Sequence, residues 1–235
     1  MISFIVPAHD EQRELGPALQ AMHSAARALQ LHYEIVVVSD ASTDSTADIA
    51  RAHGARVLEV GYRHIAAARN AGARRALGSQ LVFVDADTRV DALLLAAALS
   101  ALHAGAAGGG AKVRLLGRTR LYTRASVAVL GWLFRMSGIA PGCFLFCTRV
   151  AFEAAGGFDE RYYAGEDVAL SRALSRHGRF VILRRPVLTS ARKLRTFSVR
   201  EHLRLLVRFA LRGRGVLHSR HDLQLWYSQR RDDGI

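Results

Sequence analysis

The chain has 235 residues, half of them apolar, which suits one large domain or a domain with an appendage, and its core needs no disulfide support. Its formal net charge of +13 makes nucleotides, nucleic acid or an anionic lipid surface candidate partners. The longest apolar stretch, "ASVAVLGWLF" at 125–134, is about half of what a membrane-spanning helix needs, so a soluble or peripheral protein is expected.

The opening "MISFIVPAHDEQRE" is apolar and then acidic, which predicts a first strand, "ISFIVP", rather than a targeting segment. Helical spacing of Leu15, Leu19, Met22, Ala26 and Leu29 predicts a helix over 15–31. "YEIVVVSD" is the second strand. Ser45 or Asp44 would cap the helix "TADIARAHG", which stops at Gly54. "ARVLEV" is the third strand, "IAAARNAGARRAL" a helix stopping near Gly78, and "QLVFV" the fourth strand. Alternation at this period predicts right-handed crossovers and a doubly wound, mostly parallel sheet with helices on both faces.

Beyond Asp87 the rhythm changes. A helix over 91–103 leads into "GAAGGGAKVRLL", where four glycines in six positions predict a flexible entry to another strand. A basic amphipathic segment (118–136), the strand "CFLFCT", the turn-rich "AGGFDERYYAGED", a helix "VALSRALSRHG" and the strand "RFVILRR" follow. Cys143 and Cys147 would share a strand face two pleats apart, too far to bridge, and read as core thiols of a reducing compartment.

Three acidic stations stand out. Asp40 closes the second strand, Asp85 and Asp87 close the fourth, and Glu166 and Asp167 precede a helix. In an open α/β sheet ligands bind beyond the carboxyl ends of the strands, so the first two stations can converge on one ligand. Asp85 and Asp87 repel each other unless a cation lies beside them, which raises a metal question. Each station also has an ordinary alternative: an Asx-turn for Asp40, solvated turn carboxylates for Asp85 and Asp87, dipole-favoured acids for Glu166 and Asp167. No His/Cys set has zinc spacing.

These blocks resemble the family 2 glycosyltransferases, which have the GT-A fold. "FIVPAHDE" is similar to that family's opening strand and acidic turn. "VVVSDASTDST" is similar to its "DDGSTD" loop, with Ser39 where the first aspartate usually stands and Ala41 in place of glycine. "AAARNAGARRALGSQLVFVDAD" resembles its helix running into the Asp-x-Asp strand, and "AFEAAGGFDERYYAGEDVALSRAL" its acceptor-side block. The resemblance spans roughly residues 1–190, and "TSARKLR" further resembles a small bacterial subgroup.

The resemblance implies a metal-dependent, inverting transfer of a sugar from a nucleotide-diphosphate sugar to a hydroxyl acceptor (a saccharide, lipid or small molecule), in cell-envelope or polysaccharide synthesis. Asp87, assisted by Asp85, would hold Mn²⁺ or Mg²⁺ against the diphosphate. Asp40 would meet the base or ribose, Pro7, Ala8 and Glu11 would border the same pocket, and Arg69 lies in the segment that approaches the nucleotide. A solvated helix face is the alternative for Arg69. Asp167 would be the general base, with Glu166 as the reserve, and Arg192 and Lys193 would reach the diphosphate oxygens. His202 or His218 would add a third metal contact.

The implied organisation is a glycosyltransferase domain over 1–197, with a nucleotide-sugar half (1–104) and an acceptor half (105–197), followed by a C-terminal helical segment over 198–235. From Thr189 onward there are eleven Lys and Arg against four Asp and Glu, and Arg200, Arg204, Arg208 and Arg212 recur one helical turn apart. That stripe suits either packing on the domain or an anionic membrane surface at the inner face of the cell membrane, with a cytoplasmic location expected. A sugar nucleotidyltransferase is disfavoured because the turn after the first strand is acidic. A nucleic-acid-binding module is disfavoured because the basic residues lack interleaved aromatics. A non-catalytic relative is disfavoured because Asp40, Asp85, Asp87 and Asp167 are all present.

Overall fold

The computed structural model describes residues 1–116 and 142–190. The basic segment 118–136, Arg192, Lys193, His202, His218, the boundary expected at 197 and the arginine stripe lie outside the described residues. In chain order the elements are β1 (Ile2–Ala8), α1 (Leu15–Ala28), β2 (Tyr33–Asp40), α2 (Thr46–Ala52), β3 (Arg56–Val60), α3 (Ile65–Arg75) and β4 (Gln80–Val84). There follow β5 (Thr88–Arg89), α4 (Ala92–His103), β6 (Ala106–Leu116), β7 (Phe144–Thr148), α5 (Arg149–Ala154), α6 (Glu166–Arg176) and β8 (Arg179–Ser190).

The strands make one sheet in the order β3-β2-β1-β4-β7-β6-β8-β5. β1 pairs in parallel with β2 and β4, and β2 with β3. The continuous apolar runs of β1 and β4 are buried on both faces, as central parallel strands require. Successive residues feed opposite cores: Phe4, Val6, Val82 and Val84 pack with α1 and α4, whereas Ile5, Leu81 and Phe83 pack with residues of α3, α5 and α6. Helices therefore cover both faces, as the alternation predicts.

β7 departs from the parallel rhythm. It runs antiparallel between β4 and β6, and β6 then pairs in parallel with β8. The short β5 and α5 were not foreseen from the sequence. β8 also runs on to Ser190, past the expected end at Arg185, because a register shift accommodates Pro186 and leaves Arg184 and Arg185 exposed.

The glycines of "GAAGGG" are not a flexible entry. Gly108, Gly109 and Gly110 lie buried inside β6 and pair with both β7 and β8. A Cβ on Gly109 would collide with the carbonyl oxygen of Val181 and stand 2.5 Å from Phe146 Cζ. Gly109→Ala is therefore expected to destabilise the protein by roughly 1–3 kcal/mol, the usual cost of overpacking. A denaturation midpoint equal to wild type would show that β6 and β8 can separate without penalty.

α3 is lowered onto the sheet by its small residues. A Cβ at Gly72 would meet Ile5 Cγ2 at 2.5 Å and Val38 Cγ2 at 3.0 Å. The helix is capped at both ends: Ala67 N–H donates to His64 Nδ1 (3.4 Å), and Arg149 donates to the carbonyls of Ala73, Ala76 and Gly78. A cation at the last turn also suits the helix dipole. This close seating carries Arg69 into the interior.

Candidate active site

The order β2-β1-β4 places the turn-over point of the sheet at β1, and the carboxyl ends of these three strands form one rim. β1 ends at Ala8, with Pro7 part-exposed and Ala8 buried. Glu11 is buried in the following loop, and its N–H donates to Thr46 Oγ1 (2.8 Å). A cap for α2 comes from Asp44, whose Oδ1 accepts from Thr46 N–H at 3.0 Å; the Ser45 side chain makes no capping bond.

Asp40 is 6% exposed at the end of β2. Its carboxylate accepts from the main-chain N–H groups of Arg63 (2.7 Å) and His64 (2.8 Å), which pins the segment leading into α3. The loop-ordering role is thus met directly, and each oxygen retains a second lone pair for a ligand. His64 packs against Tyr163 beside this rim, with ring centres 4.6 Å apart and planes tilted by 57°. Burial lowers its proton affinity despite the nearby charges of Glu160 and Asp40.

Asp85 follows β4 directly, and its N–H donates to Cys143 O (3.2 Å). Its Oδ1 accepts from Arg69 Nη2 (2.9 Å), which leaves Oδ2 without a bond to that guanidinium, on a side chain 18% exposed. Asp87 is 2% exposed and held by the end of β8. Thr189 Oγ1 donates to Asp87 Oδ1 (3.3 Å), Thr88 Oγ1 donates to Thr189 Oγ1 (2.9 Å), and Ser190 N–H donates to the Asp87 carbonyl (3.2 Å). The two carboxylates offer hard oxygen donors, the kind Mg²⁺ and Mn²⁺ prefer. Among the described residues no three His, Cys, Asp or Glu side chains gather as a complete metal cage. A cation there would take its remaining oxygens from diphosphate and water, as Mg²⁺ commonly does.

Glu166 and Asp167 are the first two residues of α6 and lie in its first turn rather than before the helix. Gly165 takes φ 79° at the cap, a conformation glycine adopts without strain. Asp167 Oδ1 accepts from Val168 N–H (2.8 Å), and the main-chain N–H of Gly142 also favours its ionised form. A Cβ at Gly142 would stand 3.0 Å from Asp167 Oδ2 and 3.3 Å from Arg69 Nη2, so the chain passes very close here.

Arg69 joins the stations. It is 1% exposed, which excludes a solvated helix face. Its Nη1 donates to Glu166 Oε1 (2.7 Å), while Nη2 donates to Asp85 Oδ1 (2.9 Å) and Gly142 O (2.9 Å). Its hydrogen-bonding edge thus faces protein carboxylates. The sequence signal was an arginine amid alanines; what covers it came from residues far along the chain.

The charges explain the proton affinities. Burial disfavours the Arg69 charge, but Asp85, Glu166 and Asp167 together hold it above the ordinary arginine value. Burial pushes Glu166 up to about 7, against the pull of Arg69, and Asp167 adds repulsion. Burial likewise raises Asp167, opposed by Arg69 and by the N–H groups of Val168 and Gly142. Among the described residues one guanidinium faces three carboxylates and cannot neutralise them all, so the pair retains a proton to higher pH than an ordinary carboxylate. Burial and the charges of Asp85 and Asp87 push the Cys143 thiol up as well, so it is no nucleophile. The cysteines are free, and Cys147 is buried as expected.

Residues 3–140 match the model of glycosyl transferase family 2. The chain is 32% identical over 114 residues to validoxylamine A glucosyltransferase of Streptomyces hygroscopicus subsp. jinggangensis, which covers 46% of this chain and 26% of that protein. It is 34% identical over 95 residues to 4,4'-diaponeurosporenoate glycosyltransferase of Staphylococcus aureus, covering 37% of this chain and 24% of that one. The matched region is thus about a quarter of the length of these curated relatives. Among solved structures, S. aureus TarS 1–349 superposes with a TM-score of 0.65 at 16% identity, over 96% of this chain and 77% of that one. The mannosyltransferase PcManGT from Pyrobaculum calidifontis, in complex with GDP-Man and Mn²⁺, gives 0.63 at 20% identity, over 96% and 71%. At these identities the likeness establishes the fold, a mixed and mostly parallel sheet of GT-A type. No helix among the described residues is long and apolar enough to cross a membrane.

Proposed function

Because the chain belongs to glycosyl transferase family 2, we propose that it moves a sugar from a nucleotide-diphosphate sugar to a hydroxyl acceptor with inversion at the anomeric carbon. The observation that carries this reading is the bridge from Asp85 through Arg69 to Glu166, which sets donor-side and acceptor-side carboxylates next to each other. The donor class is supported by TarS structures with UDP and UDP-GlcNAc and by the Pyrobaculum enzyme with GDP-Man.

The rim of β1 and β2, with Pro7, Ala8, Glu11 and Asp40, borders the nucleoside. Asp85 and Asp87 would hold a divalent cation. Such an ion, when bound, neutralises charge on the departing diphosphate. Arg192 and Lys193, which follow Ser190 in the sequence, would supply the cations that such a diphosphate attracts. Asp167 takes the proton from the acceptor hydroxyl as its oxygen attacks the anomeric carbon opposite the leaving group. A base is most effective when its proton affinity lies near the working pH, and the raised value at Asp167 suits that task.

The test is a thermal-shift panel of UDP-, GDP-, CDP- and dTDP-sugars with and without Mn²⁺. A donor at a hundred times its Kd stabilises by about 2.7 kcal/mol, a readily measured shift. One nucleotide series should raise the melting temperature, and more so with Mn²⁺. No shift with any of them would sink the donor assignment.

A further inference from the structure

The contact between α3 and α6 joins the two halves of the site through one side chain. Arg69 reaches across 97 residues of sequence to Glu166 and across 16 to Asp85, and also bonds the carbonyl of Gly142 next to Asp167. The Arg69 guanidinium also lies over the Phe158 ring, with Cζ 5.1 Å from the ring centre. We propose that Arg69 is a positioning residue: its planar guanidinium ties the donor-side carboxylate Asp85 to the acceptor-side pair Glu166–Asp167, so the base stands at a set place and charge relative to the donor. This rests on the transferase reading and gives Arg69 a role other than nucleotide contact.

The chemistry of the side chain supports that role. A guanidinium presents several donors in a fixed fork and can serve two carboxylates and a carbonyl at once, whereas an ammonium is a point charge on a flexible stem. Among the described residues, the groups facing Glu166 and Asp167 are Arg69 from α3, Asp85 after β4 with Asp87 beyond it, and Cys143 before β7, whose thiol stays protonated. Arg69 is the cation in this set. Weakening it leaves like charges in a buried space, so the pair must hold its proton to still higher pH. Freed from the fork, the carboxylates also lose their fixed spacing, and small displacements in an active site cost roughly a hundredfold in rate.

The experiment compares wild type with Arg69→Lys and Arg69→Met. Melting curves report folding, calorimetry reports donor affinity, and the pH dependence of kcat is recorded alongside. Carboxyl ¹³C NMR titration of Glu166 and Asp167 needs no turnover. The expected result for Arg69→Lys is a folded protein with donor affinity within a few fold of wild type and kcat down roughly tenfold to a hundredfold. The acid limb of kcat and the NMR midpoints should both move to higher pH, further in Arg69→Met than in Arg69→Lys. Unchanged midpoints in a folded variant overturn the proposal, as does a loss confined to donor affinity. Failure of both variants to fold overturns it in favour of a purely structural role. If wild type transfers no sugar, the transferase reading fails on its own, while the NMR comparison still decides whether Arg69 sets the charge of the pair.

Discussion

Asp167→Asn is expected to abolish most turnover, by roughly a hundredfold to ten-thousandfold, while donor affinity stays near wild type. An amide keeps the shape of the side chain and can still accept from Val168 N–H at the head of α6, although it gives up the charge that Gly142 N–H favours. It cannot take a proton from the acceptor hydroxyl. The loss should therefore fall on kcat rather than on donor binding, and pre-formed donor complexes should accumulate. Substantial transfer by the variant would move the base role to Glu166. The pH profile supplies an independent check. The base works only when its proton is off, and burial raises the proton affinity of both members of the pair. Activity should therefore fall as pH drops through a midpoint above the ordinary carboxylate range. That midpoint belongs to the pair rather than to one residue. An acid limb at the usual value near 4 would contradict the buried environment.

Asp87→Asn is expected to weaken Mn²⁺-dependent donor binding by roughly a hundredfold, about 2.7 kcal/mol, with little change in stability. The amide oxygen can keep the bond from Thr189 Oγ1, and the Ser190 N–H bond to the Asp87 carbonyl involves only main chain. What is lost is charge. A neutral oxygen is a poor substitute where a hard cation must sit between protein and diphosphate. Calorimetry with and without EDTA separates the possibilities. Wild-type binding that is insensitive to EDTA, or equal affinity in the variant, would remove the metal role from Asp87.

Local pattern and tertiary contact contributed different parts of this picture. The strands β1, β2 and β4 were legible because each is a short apolar run bounded by polar turns, and strand–helix alternation implies their parallel pairing. The carboxylates at the rim were legible for the same reason: Asp40 and Asp85 stand at or just beyond the ends of those runs, and chain direction alone puts parallel strand ends on one edge. Other features depend on neighbours that no local window contains. "GAAGGG" looks flexible in isolation, yet in β6 the absence of side chains is what lets β7 and β8 approach. The antiparallel insertion of β7 has no mark in its own five residues, since a buried strand reads alike in either direction. Arg69 is the clearest case. α3 is so rich in alanine that it has no distinct apolar stripe, so its spacing could not say whether the arginine faced water or the interior. The sequence determined which acids could gather at the strand ends, because their positions follow from local chain geometry. Only the tertiary structure decided that Arg69 would bind Asp85 and Glu166 together, and how strongly the acids hold their protons, because both depend on burial and on charges brought together across nearly a hundred residues.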